Sequence, residues 1–193
     1  MEKKDTRTEI IRIGTELISR QGYTATGIDL VLKEAGVPKG SFYHYFKSKE
    51  EFGLAVIELS AGYYGQRILA LLQDRALSPL GRIRKLLDGS LERLSQEQCS
   101  KGCLIGNLGQ EMADQNERFR ARLDEVFADW KQMLAACLRE AQECGELAAG
   151  ADVDALASFI LSGWEGSILR AKVMKSAQPL QDFIQVLFSA TLR

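Results

Sequence analysis

Histidine is almost missing from this chain, with one in 193 residues, and proline is scarce at three. A lone imidazole excludes the histidine-rich ligand sets of catalytic zinc sites. So few prolines leave long stretches free to run as uninterrupted helix. No apolar run approaches the ~18 residues of a membrane span, so no membrane partner is expected. The opening "MEKKDTRTEI" lacks the apolar stretch of a secretory signal, which predicts a cytoplasmic protein whose thiols stay reduced. Charge of one sign is also lacking, with 25 Lys and Arg against 26 Asp and Glu. The only asymmetry is mild: residues 1–49 carry nine basic and six acidic side chains, and the remainder is slightly acidic.

What the chain does have is helical periodicity. Apolar residues 46% of the total suffice for a folded core. Thr6 and Glu9 form a capping pattern ahead of Ile10, Ile11, Ile13, Leu17 and Ile18, which predicts a helix over about 6–21 ended by Gly22. Thr26 and Asp29 repeat the pattern before the two-turn segment "IDLVLKEAG". Then comes "VPKGSFYHYF", where Pro38 suits a first helical turn and Phe42 and Phe46 lie four apart on one face. Ser48 and Glu51 open a long helix through "KEEFGLAVIELSAGYYGQRILALLQ". Apolar spacing predicts further helices from Pro79 to about Gln98, through the stripe from Phe119 to Ala141, from Asp152 to about Val173, and from Leu180 to Leu192. No strand pattern or internal repeat interrupts them, and the fold class is all-α.

Two short helices joined by a glycine-containing turn, behind a longer first helix, outline a helix-turn-helix. The outer side of the second presents Lys39, Gly40, Ser41, Tyr43 and His44, with Lys47 and Lys49 following. Lysine can donate to a base edge or phosphate, glycine permits close approach to a groove wall, and the hydroxyls and imidazole can donate to phosphate oxygens. The residues alone equally describe an amphipathic surface helix with solvated lysines.

The run "TGIDLVLKEAGVPKGSFYHYFKSKEEF" resembles the DNA-binding domain of the tetracycline-repressor (TetR/AcrR) family of transcriptional regulators, over about residues 6–53. The resemblance implies a homodimer whose recognition helices enter successive major grooves of a palindromic double-stranded operator, and which a small-molecule inducer releases. Carried over by position, Lys39 and Gly40 address bases, while Thr26, Ser41, Tyr43, His44 and Lys49 hold phosphates. It also implies a division into a helix-turn-helix domain, 1–53, and an effector and dimerisation bundle, 54–193. The last two long helices would pair with their copies, the small residues of "SGWEGS" allowing close contact, although Trp164 suits a helix packed within one subunit equally well.

Four cysteines remain to be explained. Cys99 and Cys103 in "CSKGCLIGNL" lack a second ligand pair, so no metal or other cofactor is expected. Cys137 falls in an apolar stripe, and Cys144 sits at a helix end. If Gly102 ends the preceding helix, Cys103 enters the first turn of the next, where free amides and Lys101 favour thiolate. "GCLIGNL" and "RAKVMKSAQPL" further resemble the branch of the family that contains the N-ethylmaleimide-reductase repressor. That implies an electrophile or oxidant sensor at Cys103, with Cys99 and Lys172 as possible participants. Packing is the competing reading of the same thiol. A noncovalent inducer would instead need an apolar pocket, for which Phe127, Trp130, Met133 and Trp164 are the candidates. An enzyme, such as a helical thiol peroxidase or reductase, finds no nucleophile–base spacing to support it. A protein-only adaptor leaves the polar face of residues 39–49 without a purpose.

Overall fold

The computed structural model describes residues 6–192. Nine α-helices follow one another among them: α1 Thr6–Gln21, α2 Ile28–Ala35, α3 Phe42–Tyr45, α4 Lys49–Leu72, α5 Pro79–Gln96, α6 Leu104–Met112, α7 Glu117–Glu143, α8 Val153–Met174 and α9 Gln178–Val186. No strand occurs among the described residues, as the periodicity predicts.

Contacts group the chain into two compact units, residues 1–63 with 104–124, and residues 64–103 with 125–193. The first unit therefore takes in α1–α3, most of α4, α6 and the start of α7. Its core gathers Ile10, Ile18, Val31, Phe42, Phe46, Phe52, Leu108 and Phe119, all essentially without exposure. Phe42 packs on Phe46 and Phe52 at centroid distances of 5.3 and 5.8 Å, so the aromatic pair read from the sequence anchors the short helix. Glycine is required where α1 and α4 approach this core. A methyl on Gly14 would overlap the Phe52 ring, and one on Gly53 would overlap Phe119 and Tyr23.

Side-chain caps set the starts of α4, α5 and α8. Ser48 Oγ accepts from Glu51 N at 3.1 Å, while Glu51 returns its carboxylate to Lys47 N at 2.7 Å. Ser78 and Asp152 cap α5 and α8 in the same way, and Pro79 occupies the first turn of α5. The Thr26 pattern turns out differently. Gly27 is the N-cap of α2 with no side-chain bond, because the buried Thr26 hydroxyl donates to the Gly22 carbonyl at 2.6 Å. Likewise "VPKGSFYHYF" is not one helix: Lys39–Ser41 form a tight 3₁₀ turn, and only Phe42–Tyr45 continue as α3.

The second unit packs the C-terminal part of α7 with α5, α8 and α9. Leu134, Cys137, Leu138 and Ala141 of the α7 stripe all lie in its core with Ile83, Leu87, Ile160 and Ile184. The last helix is shorter than its apolar pattern: α9 ends at Val186 and Leu187–Thr191 form a wider π-type turn. Within "SGWEGS" the two glycines serve different ends. Gly163 lets the Phe183 ring of α9 lie against α8 inside one subunit, whereas Gly166 faces open space.

Candidate functional site

In the first unit, the surface of the second short helix is polar as its sequence suggests. Lys39, Gly40, Tyr43, His44, Lys47 and Gly36 are exposed, Ser41 is half-buried, and Tyr43 keeps 67% of its surface. Lys39 Nζ reaches Asp29 at 2.8 Å, an ion pair between two largely solvated groups that a phosphate or base edge can displace at little cost. Lys49 is held more firmly. Its ammonium donates to the Thr24 carbonyl at 3.2 Å and lies 4.6 Å from the centroid of the Tyr23 ring. Burial lowers its pKa, partly opposed by Glu111. Thr26, by contrast, presents no side chain outward, being buried with its hydroxyl on Gly22.

Behind this surface stands a residue that sequence reading did not single out. Glu111, in the last turn of α6, accepts the backbone N–H groups of Tyr23 at 2.8 Å and Thr24 at 2.7 Å, gripping the turn between α1 and α2. Burial raises its pKa, but the amide bonds and Lys49 outweigh that and hold the carboxyl below its ordinary value. Burial and the nearby Glu50 and Glu111 push Tyr23 up to about 12. The start of α7 is tied to α4 by Asn116 and Arg118 on Glu50, at 2.9 and 3.1 Å, and by Arg122 on Glu58.

The second unit holds a cavity of about 90 Å³, lined by Tyr64, Arg67 and Ile68 of α4, by Leu86, Leu87, Ser90 and Arg93 of α5, by Cys103 just before α6, by Trp130 and Leu134 of α7, and by Ile160, Leu161, Trp164, Glu165 and Ile168 of α8. Its walls are mostly apolar, and it is smaller than the ~150 Å³ cavity that admits a benzene, so a ligand of that size enters only as the side chains around it move. Two of the four pocket residues read from sequence, Trp130 and Trp164, line it. Phe127 packs edge-on behind Trp130 at 5.8 Å, and Met133 lines a separate depression with Leu69, Gln73 and Cys137. The reason is helical geometry: Met133 is one residue from Leu134, about 100° further round α7.

Cys103 precedes α6 directly, at its N-cap position, and faces this cavity. Gly102 has φ 73°, but the chain reverses earlier, through Gln98 and Cys99 at φ 53° and 50°. Cys99 is buried in a small cluster with Leu94, Ile168 and Leu180, against which Cys103 packs. None of the four cysteines is in a disulfide. Lys172 lies on α8 but does not line the cavity; the α8 residue that meets Cys103 is Glu165, whose carboxyl accepts the thiol hydrogen. Glu165 as a whole keeps some exposure, yet its carboxyl sits among apolar groups, and burial pushes it up to about 7 against the smaller pull of the thiol. A carboxylate inside the apolar "SGWEGSIL" was a visible signal; which residue it meets was not. Among the described residues no group of three or more His, Cys, Asp or Glu has a metal-binding arrangement.

Residues 10–56 match the family pattern described as "Bacterial regulatory proteins, tetR family", and residues 79–187 match the "Tetracyclin repressor-like, C-terminal domain". The transcriptional regulator AcuR of Cereibacter sphaeroides is 45% identical over 90% of this chain and 80% of its own length. The transcriptional repressor NemR of Escherichia coli K12 is 34% identical over 92% of this chain and 89% of its own. Among solved structures, a regulatory protein TetR from Rhodobacter sphaeroides superposes with a TM-score of 0.88 at 44% identity, covering 93% of this chain and 95% of that one. The reduced form of E. coli NemR superposes at 0.85 with 31% identity, covering 98% and 100%.

Proposed function

This chain belongs to the tetracycline-repressor family of transcriptional regulators, and from that premise we propose that it is an operator-bound repressor released when a small electrophile or oxidant reacts at Cys103. Members of the family bind DNA and act as dimers with small-molecule ligands; they are regulators, not enzymes. Here the cytoplasmic dimer binds a palindromic operator through Lys39 and Gly40 at base edges. Ser41, Tyr43, His44 and Lys49 serve the phosphates, while the buried Thr26 braces the α1–α2 turn from within, its amide on the Tyr23 carbonyl and its hydroxyl on that of Gly22.

The observation that carries the sensor reading is the placement of Cys103. Its sulfur faces an apolar cavity, and the next residue begins α6, the helix whose Glu111 grips the α1–α2 turn. A group bonded to the sulfur displaces the start of α6, Glu111 transmits the shift to Tyr23, Thr24 and Lys49, and the spacing of the paired recognition helices changes. That spacing has to match one turn of DNA, ~34–36 Å, so a shift of a few ångströms removes most of the specific affinity. The similarity to NemR, whose structure is described as a reduced form, supports a redox or electrophile response. In this reading Cys99 holds the turn that presents Cys103, and Glu165, in place of Lys172, is the α8 residue that meets it.

The test is fluorescence anisotropy of wild type and Cys103→Ser on labelled DNA from upstream of the protein's own gene, before and after a mild electrophile. Release of wild type alone is the expected result. The Trp130 and Trp164 walls of the cavity favour one further reading, a noncovalent apolar inducer, and release of both proteins by the same compound would establish that instead.

A further inference from the structure

The Cys103 thiol does not stand alone in its cavity. It donates to the Glu165 carboxyl, and around that pair the cavity wall supplies Tyr64 and Arg67 from α4, Ser90 and Arg93 from α5, and the indoles of Trp130 and Trp164. Arg93 is turned toward its own partners, the Tyr64 ring at 5.4 Å and Glu97 at 3.6 Å. Neither α7 residue lining the cavity is ionisable, and α9 contributes no lining residue.

A thiolate formed in advance beside a carboxylate, in largely apolar surroundings, would place two like charges where they are poorly screened. A thiol and a carboxylate sharing one proton avoid that cost. Resting on the reading of Cys103 as the reactive thiol, we infer that Glu165 is its proton acceptor: the carboxylate removes the thiol hydrogen as the sulfur attacks a neutral conjugated alkene. The S–H bond breaks and the proton passes to Glu165. The sulfur pair forms the S–C bond at the β-carbon, and the alkene π pair becomes an enolate. The enolate takes the proton from the Glu165 carboxyl at its α-carbon, which regenerates the carboxylate. The net change is addition of S–H across C=C, with no oxidant or leaving group needed. Glu165 thereby makes the sensor fast near neutral pH, where an ordinary cysteine, with its pKa of ~8.5, is mostly thiol. It also sets the class of signal: uncharged, small, conjugated electrophiles that can enter an apolar cavity.

N-ethylmaleimide is the probe. Its second-order rate with full-length wild type, Glu165→Gln and Glu165→Asp is followed from pH 5.5 to 9.5, with the Cys103 adduct counted by mass spectrometry and operator release read in the same samples. Wild type should accelerate through an inflection near neutral pH and slow in deuterium oxide. Glu165→Gln, isosteric but unable to take a proton, should lose the inflection, react at least about tenfold more slowly at pH 7.5 and bind the operator normally before treatment. Glu165→Asp should keep an inflection. An unchanged rate and profile in Glu165→Gln overturns the inference. If that variant does not fold, the isotope effect on wild type decides, and its absence overturns the inference as well. Failure of the sensor reading looks different: Cys103 is modified with the expected profile, yet the operator stays bound. Labelling of the exposed Cys144 in preference to Cys103 overturns both.

Discussion

The Glu111 carboxylate accepts the backbone amide of Tyr23 at 2.8 Å across 88 residues of sequence, and that of Thr24 beside it at 2.7 Å. Hydrogen bonds to a charged group are each worth about 1.5–3 kcal/mol when sheltered, and less where water competes, as it does at Thr24. Glu111→Ala should therefore lower the stability of the first unit by about 1–2 kcal/mol. Operator affinity should fall while the salt dependence of the remaining binding stays the same, because no phosphate contact is removed. Denaturant melts and anisotropy across a salt series measure the two. The carboxyl is held below its ordinary value in the folded state, so its contribution is present at neutral pH and lost as pH falls below the ordinary carboxylate range.

Lys39 and Lys49 should separate. Lys39→Ala breaks only a solvated pair with Asp29, so melting should be unchanged while operator binding weakens more than binding to random DNA. Lys49→Ala removes a cation held on Thr24 and Tyr23, so it should weaken binding to all sequences and reduce the salt slope by about one. An unchanged slope for Lys49→Ala would remove it from the phosphate-contacting set.

Gly53→Ala should destabilise the first unit by about 1–3 kcal/mol, since the new methyl falls on the rings of Phe119 and Tyr23, themselves packed edge-on at 5.0 Å. Gly62→Ala, one of the positions on the same helix with open space around it, is the control and should be neutral or stabilising. Thermal melts of the two variants compare them directly.

Phe159, Gly166, Leu169 and Val173 form an exposed stripe along α8, with Val173 76% exposed. Spacings of seven, three and four place them on one helix face. Val173→Glu together with Leu169→Lys should convert the dimer to a monomer in light scattering and abolish tight operator binding, leaving the helical content intact.

Burial raises the Glu165 carboxyl to about 7, which for an acid means that the folded state holds its proton longer than the unfolded chain. Its contribution to stability is complete below the unfolded pKa and declines as pH rises through about 7. Melting temperature should fall between pH 4.5 and 7.5 in wild type more than in Glu165→Gln, after acid effects common to both are subtracted.

The starts of α4, α5 and α8 were legible because caps are local signals, carried by neighbours such as Ser48 and Glu51, and α1 was legible from its apolar periodicity; Thr6, read as its cap, is instead its first helical residue. The Phe42 and Phe46 anchor and the polar face of residues 39–49 were legible for the same reason. Thr26 was misread as a cap because its hydroxyl had a competing acceptor, the Gly22 carbonyl, that only the turn geometry brings within 2.6 Å. Phe127, Trp130, Met133 and Trp164 shared a composition suited to a pocket, but composition does not fix rotation about a helix axis. That rotation put Trp130 and Trp164 at the cavity wall and Met133 elsewhere.

The sequence by itself determined an all-α chain, a helix-turn-helix at its start and a thiol at the beginning of a helix, which it put in the first turn and the structure puts one residue earlier; each follows from interactions within about four residues. Only the tertiary structure decided that Cys103 meets Glu165, 62 positions away, and that Glu111 holds the turn at Tyr23. Such partners are chosen by the packing of whole helices against one another, where burial and charge act across distances in sequence that no local pattern records.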